Sequence, residues 1–312
     1  MDRRHVALMA TGGIAVASIL AYIRHARARD SLTGFFNILQ SEQVVLERNS
    51  QDLEPRLAEI MGSVVRHLHA FVKEVRLTED EWSAAIDFLT KTGHTCSGVR
   101  QEFILASDTL GVSMLVDALN HQRPAKATEN TVLGPFHVPG SPIRQMGESI
   151  VLDGKGELCL FRGCIRDLDG NPIAGAMLDV WSDNGDGFYD VQQPDIQPQW
   201  NNRGRFVTGA DGAYHFIGIK PVPYPIPDDG PVGRMLRKLG RHPYRPAHVH
   251  FIVTANGYQK IVTHTFANVD QYLASDCVFG VKSTLVASYD RLETARVGDV
   301  QWTSHFDFVM CR

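Results

Sequence analysis

Residues 158–181 read LCLFRGCIRDLDGNPIAGAMLDVW, and this stretch decides the class of fold. Hydrophobic residues dominate Leu158–Asp167, turn-forming residues follow at Asp169–Pro172, and a second short hydrophobic run covers Met177–Trp181. Two short apolar runs on either side of a turn that contains Gly, Asn and Pro predict two β-strands. The stretch therefore places a strand-rich region in the C-terminal part of the chain.

The same pattern recurs as far as the C terminus. Further short hydrophobic runs lie at Gly204–Thr208, Ala213–Ile217, Phe251–Thr254, Ile261–Phe266 and Ser304–Met310. Asp211-Gly212 and Asn256-Gly257 mark turns between some of them. Many short strands joined by loops of very different lengths predict an antiparallel β-sandwich.

The region before residue 128 has the periodicity of helices instead. Apolar residues recur every three or four positions from Leu57 to Val75, as on one face of an amphipathic helix. Thr78–Glu81 forms a capping box that starts a second helix, and a third is expected from about Val99 to Asn120. The sequence thus predicts an α+β protein, with a helical domain at residues 31–127 ahead of the β-sandwich domain at residues 128–312.

Residues 1–30 form an apolar and basic N-terminal extension of different character. Val6–Ile23 carries no charged residue, and arginines flank it on both sides. As a helix it would measure roughly 27 Å, close to the ~30 Å of a bilayer's hydrocarbon core. Two interpretations stay open: residues 6–23 are a membrane anchor or an export signal, or they are an extension of a cytoplasmic protein.

Composition narrows the classes of function. The 312 residues include 31 Lys and Arg against 35 Asp and Glu, a net charge of −4, so no basic surface for nucleic acid is expected. The five cysteines are scattered and form no CxxC pair. This excludes a disulfide framework and a thiolate zinc site, and it is typical of a reducing compartment.

A pair of histidines gives the first indication of a metal site. His248 and His250 lie in the run RPAHVHF at residues 245–251. Side chains two positions apart on a strand point to the same face, so both imidazoles can bind one ion. The alternative is that both are ordinary polar residues of a solvent-facing strand. By contrast, His67 and His69 fall in a predicted helix, where this spacing places them on opposed sides.

Two tyrosines stand in unusual loops. Tyr189 ends the glycine-rich run NGDGFY at residues 184–189, and Tyr224 lies in PVPYPIP at residues 221–227, where prolines hold the backbone extended. A trivalent metal can hold a tyrosine deprotonated, and phenolate oxygen is a hard donor that suits Fe(III). Taken singly, each tyrosine is more commonly a packing residue of its loop.

Taken together, these motifs resemble those of the non-haem Fe(III) intradiol ring-cleaving dioxygenases of catechols. The resemblance covers about residues 34–312. Within the family the chain is most similar to the hydroxyquinol 1,2-dioxygenases, through TENTVLGPF at 128–136, GRHP at 240–243 and DQYLASD at 270–276. Catechol-preferring members have a glutamine at the position of His264. The histidine of this chain agrees with the hydroxyquinol pattern instead.

The resemblance implies a set of roles. Tyr189 and His248 would be equatorial ligands of Fe(III), with Tyr224 and His250 as axial ligands. Tyr224 would also leave the metal and accept a proton from the substrate, and Arg245 would stabilise negative charge on the ring. The residues implied to bind the substrate are Leu105, Asp108, Val132, Leu133, Gly134, Pro135, Phe136, Ile226, Pro227, Arg245 and Val278.

The implied reaction is cleavage of hydroxyquinol (benzene-1,2,4-triol) by O2 to 3-hydroxy-cis,cis-muconate or maleylacetate, in the degradation of aromatic compounds. A carboxylate such as that of Asp108 can accept a hydrogen bond from the third hydroxyl, and a site built for a hydroxyl discriminates strongly. The resemblance further implies a homodimer formed through the N-terminal helices, with a phospholipid in an apolar tunnel between them.

Three alternative functions stay open, one with a different substrate and two from other classes of protein. The first is a catechol or chlorocatechol 1,2-dioxygenase that produces cis,cis-muconates. The second is a non-catalytic β-sandwich binding module, in which the tyrosines and histidines only pack. The third is a zinc hydrolase built on His248 and His250, which is disfavoured because catalytic zinc requires a third histidine or a carboxylate.

Overall fold

The structure is a computed structural model that describes residues 35–49, 53–98, 100–293 and 299–312. The helices in this part of the chain are α1 (Ser41–Asn49), α2 (Pro55–Val75), α3 (Glu79–Thr95), α4 (Glu102–Thr109), α5 (Val112–Asn120) and α6 (Pro231–Lys238). The strands are β1 (Leu158–Asp167), β2 (Met177–Trp181), β3 (Arg203–Val207), β4 (Ala213–Ile219), β5 (Tyr224–Pro225), β6 (Tyr244–Arg245), β7 (His248–Thr254), β8 (Ile261–Ala267), β9 (Val286–Arg291), β10 (Trp302–His305) and β11 (Phe308–Met310). The α+β class predicted from the sequence is confirmed.

The chain divides into two compact units, residues 1–86 and 87–312. In the described part of the first unit, α1 and α2 bury Val44 and Val65. Helix α2 begins where the carboxylate of Glu54 accepts hydrogen bonds from the first backbone N–H groups of the helix, which have no partner within it. The domain boundary placed between residues 127 and 128 stays a prediction.

The second predicted helix begins as expected, whereas the third differs from the prediction. Thr78 and Glu81 form the reciprocal hydrogen bonds of a capping box at the start of α3. The prediction of a single helix from about residue 99 to residue 120 is wrong, because the chain forms two helices, α4 and α5, with a break at Gly111. Gly111 has a φ of +74°, a left-handed conformation that glycine adopts without steric cost.

Two sheets pack face to face in the second unit. One contains β3, β2, β7 and β8, the other contains β4, β1 and β10, and β9 belongs to both because it pairs with β8 and with β10. Phenylalanines fill the space between the sheets: Phe206 of β3 and Phe216 of β4 stack with ring centroids 5.0 Å apart. This packed core makes β7, which carries the two histidines, part of a rigid scaffold.

The expectation of a purely antiparallel sandwich is wrong. β1 pairs in parallel with β10 and with β11, and β8 pairs in parallel with β9. Parallel neighbours need a long crossover connection, and long stretches of chain separate these strands. Alternation of side chains predicts where a strand lies but not its direction, so the mixed topology was not visible in the sequence.

Two features of the sequence bear on the protein's compartment: the apolar segment at residues 6–23 and the scattered cysteines. Within the described residues, no helix has both the length and the apolar character that crossing a membrane requires. Residues 6–23 lie outside the described part, so both interpretations of that segment stay predictions. All five cysteines lie in the described part and are free thiols, as expected from their scattered positions.

Candidate metal centre

Strand β7 presents the two histidines of the HxH motif on one face. His248 and His250 are each only 1% exposed, and their ring centroids are 4.9 Å apart. When the Nδ1 of His248 donates to the carbonyl oxygen of Pro246, 2.7 Å away, its Nε2 is unprotonated and has a lone pair that can accept a hydrogen bond or bind a metal. A metal ligand requires such a lone pair.

Two loops bring the predicted tyrosines to these histidines. The Oη of Tyr189 lies 2.9 Å from the Nε2 of His250 and 3.4 Å from the Oη of Tyr224. The Oη of Tyr224 lies 3.4 Å from the Nε2 of His248. The structure thus brings together the side chains of all four predicted ligands in one buried place.

Glycine and proline determine the approach of the two loops. Gly187 has a φ of +81°, and a Cβ added to it would lie 3.3 Å from the Cβ of Tyr224. A larger residue at position 187 would therefore hold the loops apart. Tyr224 lies between two prolines and pairs with Arg245 across the short strands β5 and β6, which fixes its backbone.

The ionisation states in this site follow from its burial. Burial, followed by the charge of Arg245, lowers the pKa of His248 well below its ordinary value, and burial also lowers the pKa of His250. Both imidazoles are therefore neutral near pH 7, which is the form that binds metals. Burial raises the pKa of Tyr189 and that of Tyr224, so a bound cation would have to stabilise their phenolate forms.

A third histidine, which the predicted ligand set did not include, lies beside the first two. His264 of β8 pairs with His250 in the sheet, and their ring centroids are 4.2 Å apart. The Nδ1 of His264 is 2.5 Å from the Oγ1 of Thr131. Ligand nitrogens of the three histidines lie within 4.8 Å of one another. The signal in the sequence was a histidine in the strand that follows the HxH strand, because adjacent strands of a hairpin pair with each other.

The donor set fits a metal ion. The Oη atoms of the two tyrosines and the Nε2 atoms of His248 and His250 form a chain of contacts 2.9–3.4 Å long in a buried place. The buried Nε2 of the neighbouring His264 has no hydrogen-bond partner among the described residues, and such an atom is costly to leave unsatisfied. Two phenol oxygens and two imidazole nitrogens suit a ferric ion, since phenolate is a hard donor. Three imidazoles would suit zinc, so the third histidine answers one part of the objection raised against a zinc site, while the two tyrosines remain the other part.

The structure places the predicted substrate-binding residues in different surroundings, and it brings Gly134 and Phe136 against the predicted ligands. Leu105 of α4 packs against an apolar cluster that contains Ile226 and Val278. Phe136 stacks on Tyr189 with ring centroids 4.5 Å apart. A Cβ added to Gly134 would lie 2.9 Å from the Cε1 of His250. Leu133, Pro135 and Pro227 are exposed, and Val132 is partly buried.

Asp108 and Arg245 are the two charged residues of the predicted pocket. Burial raises the pKa of Asp108, while a hydrogen bond with Ser113 and the charge of Arg245 oppose the increase. Arg245 is 5% exposed, and its Nη1 lies 3.2 Å from the Nε2 of His248. The structure therefore places one cation directly beside the predicted metal ligand His248 and one carboxylate within its electrostatic reach.

An ion pair that the sequence did not reveal anchors the loop of Tyr189. Asp190 and Arg203 are both buried, and the carboxylate oxygen Oδ1 accepts hydrogen bonds from the Nε and Nη2 of Arg203 at 2.8 and 2.6 Å. Asp190 also accepts a hydrogen bond from the backbone N–H of Trp200. Because Asp190 follows Tyr189 directly, this pair fixes the tyrosine relative to β3.

Removing the anionic partner of this pair should strongly destabilise the protein. In Asp190→Asn, the buried guanidinium of Arg203 loses its counter-charge, and breaking a buried pair costs about 3–5 kcal/mol. Denaturant unfolding of both proteins measures the loss. Asp186→Asn is the control, since Asp186 pairs with Lys155 at the surface and we expect no measurable change. Equal stabilities of the two variants would contradict the anchoring role.

The chain is similar to known dioxygenases over most of its length. Residues 132–311 match the family model described as Dioxygenase, and residues 54–128 match Catechol dioxygenase N terminus. Hydroxyquinol 1,2-dioxygenase of Rhizobium sp. (strain MTP-10005) is 54% identical over 286 residues, which cover 89% of this chain and 97% of that protein. 6-Chlorohydroxyquinol 1,2-dioxygenase of Cupriavidus pinatubonensis is 47% identical over 268 residues, 86% of this chain and 95% of that protein.

A solved structure gives the same result in three dimensions. The crystal structure of hydroxyquinol 1,2-dioxygenase from Pseudomonas putida DLL-E4 has a TM-score of 0.83 to this chain and 47% sequence identity. The match covers 88% of this chain and 98% of that one. The similarity therefore includes both the helical and the strand-rich parts.

Proposed function

The chain belongs to the intradiol ring-cleaving dioxygenase family, and from this premise we propose that it cleaves hydroxyquinol between its two adjacent hydroxylated carbons. Both atoms of O2 enter the product, 3-hydroxy-cis,cis-muconate or its tautomer maleylacetate. The observation that supports the chemistry is the convergence of two buried phenols and two neutral imidazoles. The similarity to enzymes named for hydroxyquinol and chlorohydroxyquinol supports this substrate over catechol.

We propose that the metal is Fe(III), held by Tyr189, Tyr224, His248 and His250. Bound there, a ferric ion would bind the substrate as a chelating ligand and withdraw electron density from its ring, which would make the ring reactive towards O2. The two tyrosines favour iron over the zinc alternative, because zinc has no preference for phenolate ligands. The protein's part is to hold these donors in a buried site from which bulk water is excluded.

Tyr224 is proposed to accept a proton from the substrate. It lies 8% exposed, whereas Tyr189 is fully buried. Burial raises the pKa of Tyr224, but the charge of Arg245 opposes this increase. Held as a phenolate by the proposed metal, its Oη would be a base for the hydroxyl group of a bound substrate.

Arg245 is proposed to stabilise the negative charge that develops on the ring. Its guanidinium keeps its proton at every working pH, and its Nη1 lies 3.2 Å from the Nε2 of His248. An oriented charge in a buried site acts without reorganisation during the reaction, which is often the largest catalytic contribution.

The proposed function is tested with purified protein that contains iron. We expect O2 consumption with hydroxyquinol, a product identified by mass as the ring-opened diacid, and slower turnover of catechol. A visible charge-transfer band from tyrosinate to iron should change when hydroxyquinol is added without O2. A faster reaction with catechol or chlorocatechol would reassign the substrate, and a colourless, inactive protein with bound iron would remove the proposal.

Replacing Asp108 with alanine should change the preference between the two substrates. We propose that Asp108 accepts the hydrogen bond of the third hydroxyl, so its loss should lower kcat/KM for hydroxyquinol about 10- to 100-fold. Catechol has no third hydroxyl, and its turnover should change little. Steady-state kinetics with both substrates measure the effect, and the visible spectrum should be unchanged. Equal losses on both substrates would show that Asp108 is structural.

We also propose a homodimer formed through the N-terminal helices, with a phospholipid between the subunits. The support is the apolar stripe of α2, whose members Leu57, Ile60, Val64, Leu68, Phe71 and Val75 are 42–57% exposed. Exposed apolar stripes of this extent are typical of interaction surfaces. The mass in solution and lipid extraction from the purified protein test the two parts separately.

For the compartment we propose the cytoplasm. The free thiols of all five cysteines support a reducing environment. Fractionation of the native host, with the extension intact by mass, tests this proposal against an anchor or an export signal at residues 6–23.

A further inference from the structure

A buried carboxylate lies behind Arg245, on the side away from His248. Asp276 is 5% exposed. Its Oδ1 and Oδ2 accept hydrogen bonds from the Nε and Nη2 of Arg245, each at 3.4 Å. The guanidinium is thus held by Asp276 through two nitrogens, while the third, Nη1, lies against the metal ligand.

The loop that carries Asp276 also holds the carboxylate in place. Oδ1 accepts a hydrogen bond from the backbone N–H of Val278 at 3.2 Å, and Oδ2 accepts one from the backbone N–H of Gly280 at 2.9 Å. Four donors therefore fix the orientation of one carboxylate. Val278 belongs to the apolar cluster of the proposed substrate pocket, so one short loop links the pocket wall to Arg245.

The contact requires glycine at position 280. A Cβ added there would lie 2.9 Å from the Nη2 of Arg245 and 3.1 Å from the Oδ2 of Asp276. Both distances are shorter than ordinary van der Waals contacts, so a side chain at this position would have to push the guanidinium away. The backbone packs against Arg245 closely enough to limit its movement.

Asp276 also preserves the charge of Arg245. The carboxylate of Asp276 supplies a counter-charge to the buried guanidinium through the two hydrogen bonds that it accepts from it. Asp108 lies within electrostatic range of both residues. Arg245 thus stays a cation although it is almost fully removed from water.

We propose that Asp276 is the positioning residue that aims Arg245 at the metal centre, with Gly280 providing the space. Asp276 does not touch the reacting atoms and acts through Arg245. The inference rests on the proposed function, because Arg245 is given a catalytic role there. The inference adds to the proposed function the residue that orients the guanidinium of Arg245.

A double-mutant cycle tests whether Asp276 acts through Arg245. Asp276→Asn alone should lower kcat for hydroxyquinol about 10-fold or more with a smaller change in KM, while the same change in an Arg245→Ala background should have less than about a 2-fold effect. Iron content and the visible spectrum of the substrate-free protein should be unchanged. Equal effects in both backgrounds would overturn the proposal.

The control is Asp270→Asn, in the same segment. Asp270 accepts hydrogen bonds from the backbone N–H groups of Ala247 and Tyr272, whereas the ion pair of Arg245 is with Asp276. Whatever loss this change causes should be the same with and without Arg245. Coupling as strong as that of Asp276 would show that the cycle reports general disturbance of the segment, and the inference would fail.

Gly280→Ala and a structural measurement supply readouts that do not depend on the proposed activity. Gly280→Ala keeps every charge and should reproduce the kcat loss of Asp276→Asn. Crystal structures of both variants should show the guanidinium of Arg245 displaced from His248. An Arg245 that retains its 3.2 Å contact in both would overturn the inference even if hydroxyquinol were not the substrate. Absence of cleavage by the unmodified enzyme would instead reject the proposed function alone.

Discussion

Replacing His250 with alanine should yield a folded protein without iron, without visible colour and without ring-cleaving activity. His250 is one of four proposed protein ligands, and its Nε2 lies 2.9 Å from the Oη of Tyr189. Its loss removes one of the two neutral nitrogens of the proposed donor set, and His264 beside it is not a proposed ligand. Metal analysis of the purified variant measures the iron, and the charge-transfer band and O2 uptake measure the consequences.

Two further histidine variants make this prediction specific. His305→Ala is the matched control, since His305 lies exposed on β10 and should retain full iron. His264→Ala separates the proposed ligand set from a cluster of three histidines. It should retain iron and colour, because His264 is not a proposed ligand. Full iron and activity in His250→Ala would contradict the assignment, and loss of metal in His264→Ala would favour the three-histidine site.

Replacing Tyr224 with phenylalanine should lower kcat about 100-fold or more, the range expected when a general base is removed. Some iron should remain, because Tyr189 and both histidines stay in place. The phenol oxygen at 3.4 Å from the Nε2 of His248 is lost, and with it the proposed ligand that accepts the substrate's proton. Metal stoichiometry, the intensity of the visible band and single-turnover kinetics measure these effects.

The matched control removes a hydroxyl group from a neighbouring tyrosine. Tyr244 lies on β6 and stacks on Tyr272 with ring centroids 4.9 Å apart and planes at 4°. The stacking does not need the hydroxyl, so Tyr244→Phe should keep both iron and turnover. Wild-type turnover in Tyr224→Phe would show that neither the ligand nor the base role belongs to this residue.

Some of the site was predictable because it depends on local geometry. Two positions on one strand share a face whatever the rest of the fold, so His248 and His250 could be paired from their spacing alone. The strand bounds at Leu158–Asp167 and Met177–Trp181 are likewise local, and the structure confirms them. For the tyrosines, spacing was not sufficient, and only the resemblance to the family predicted that Tyr189 and Tyr224 would meet the histidines.

Other features depended on contacts that no local pattern contains. The parallel pairing of β1 with β10 joins segments more than a hundred residues apart. The buried pair of Asp190 and Arg203 joins two loop ends that are separated by thirteen positions. In both pairings, the packing of the folded chain determines which partners meet, and sequence spacing does not.

By itself, the sequence determined the class of fold, the family and the strand that carries the histidine pair, since periodicity and motif order are properties of neighbouring residues. Only the tertiary structure decided which side chains surround that pair. His264 reaches it through the register of β8 on β7, Thr131 contacts His264 from 133 positions away, and Asp276 meets Arg245 across 31 positions. These approaches depend on strand register and loop closure, which are settled by the burial of the whole core and not by any segment alone.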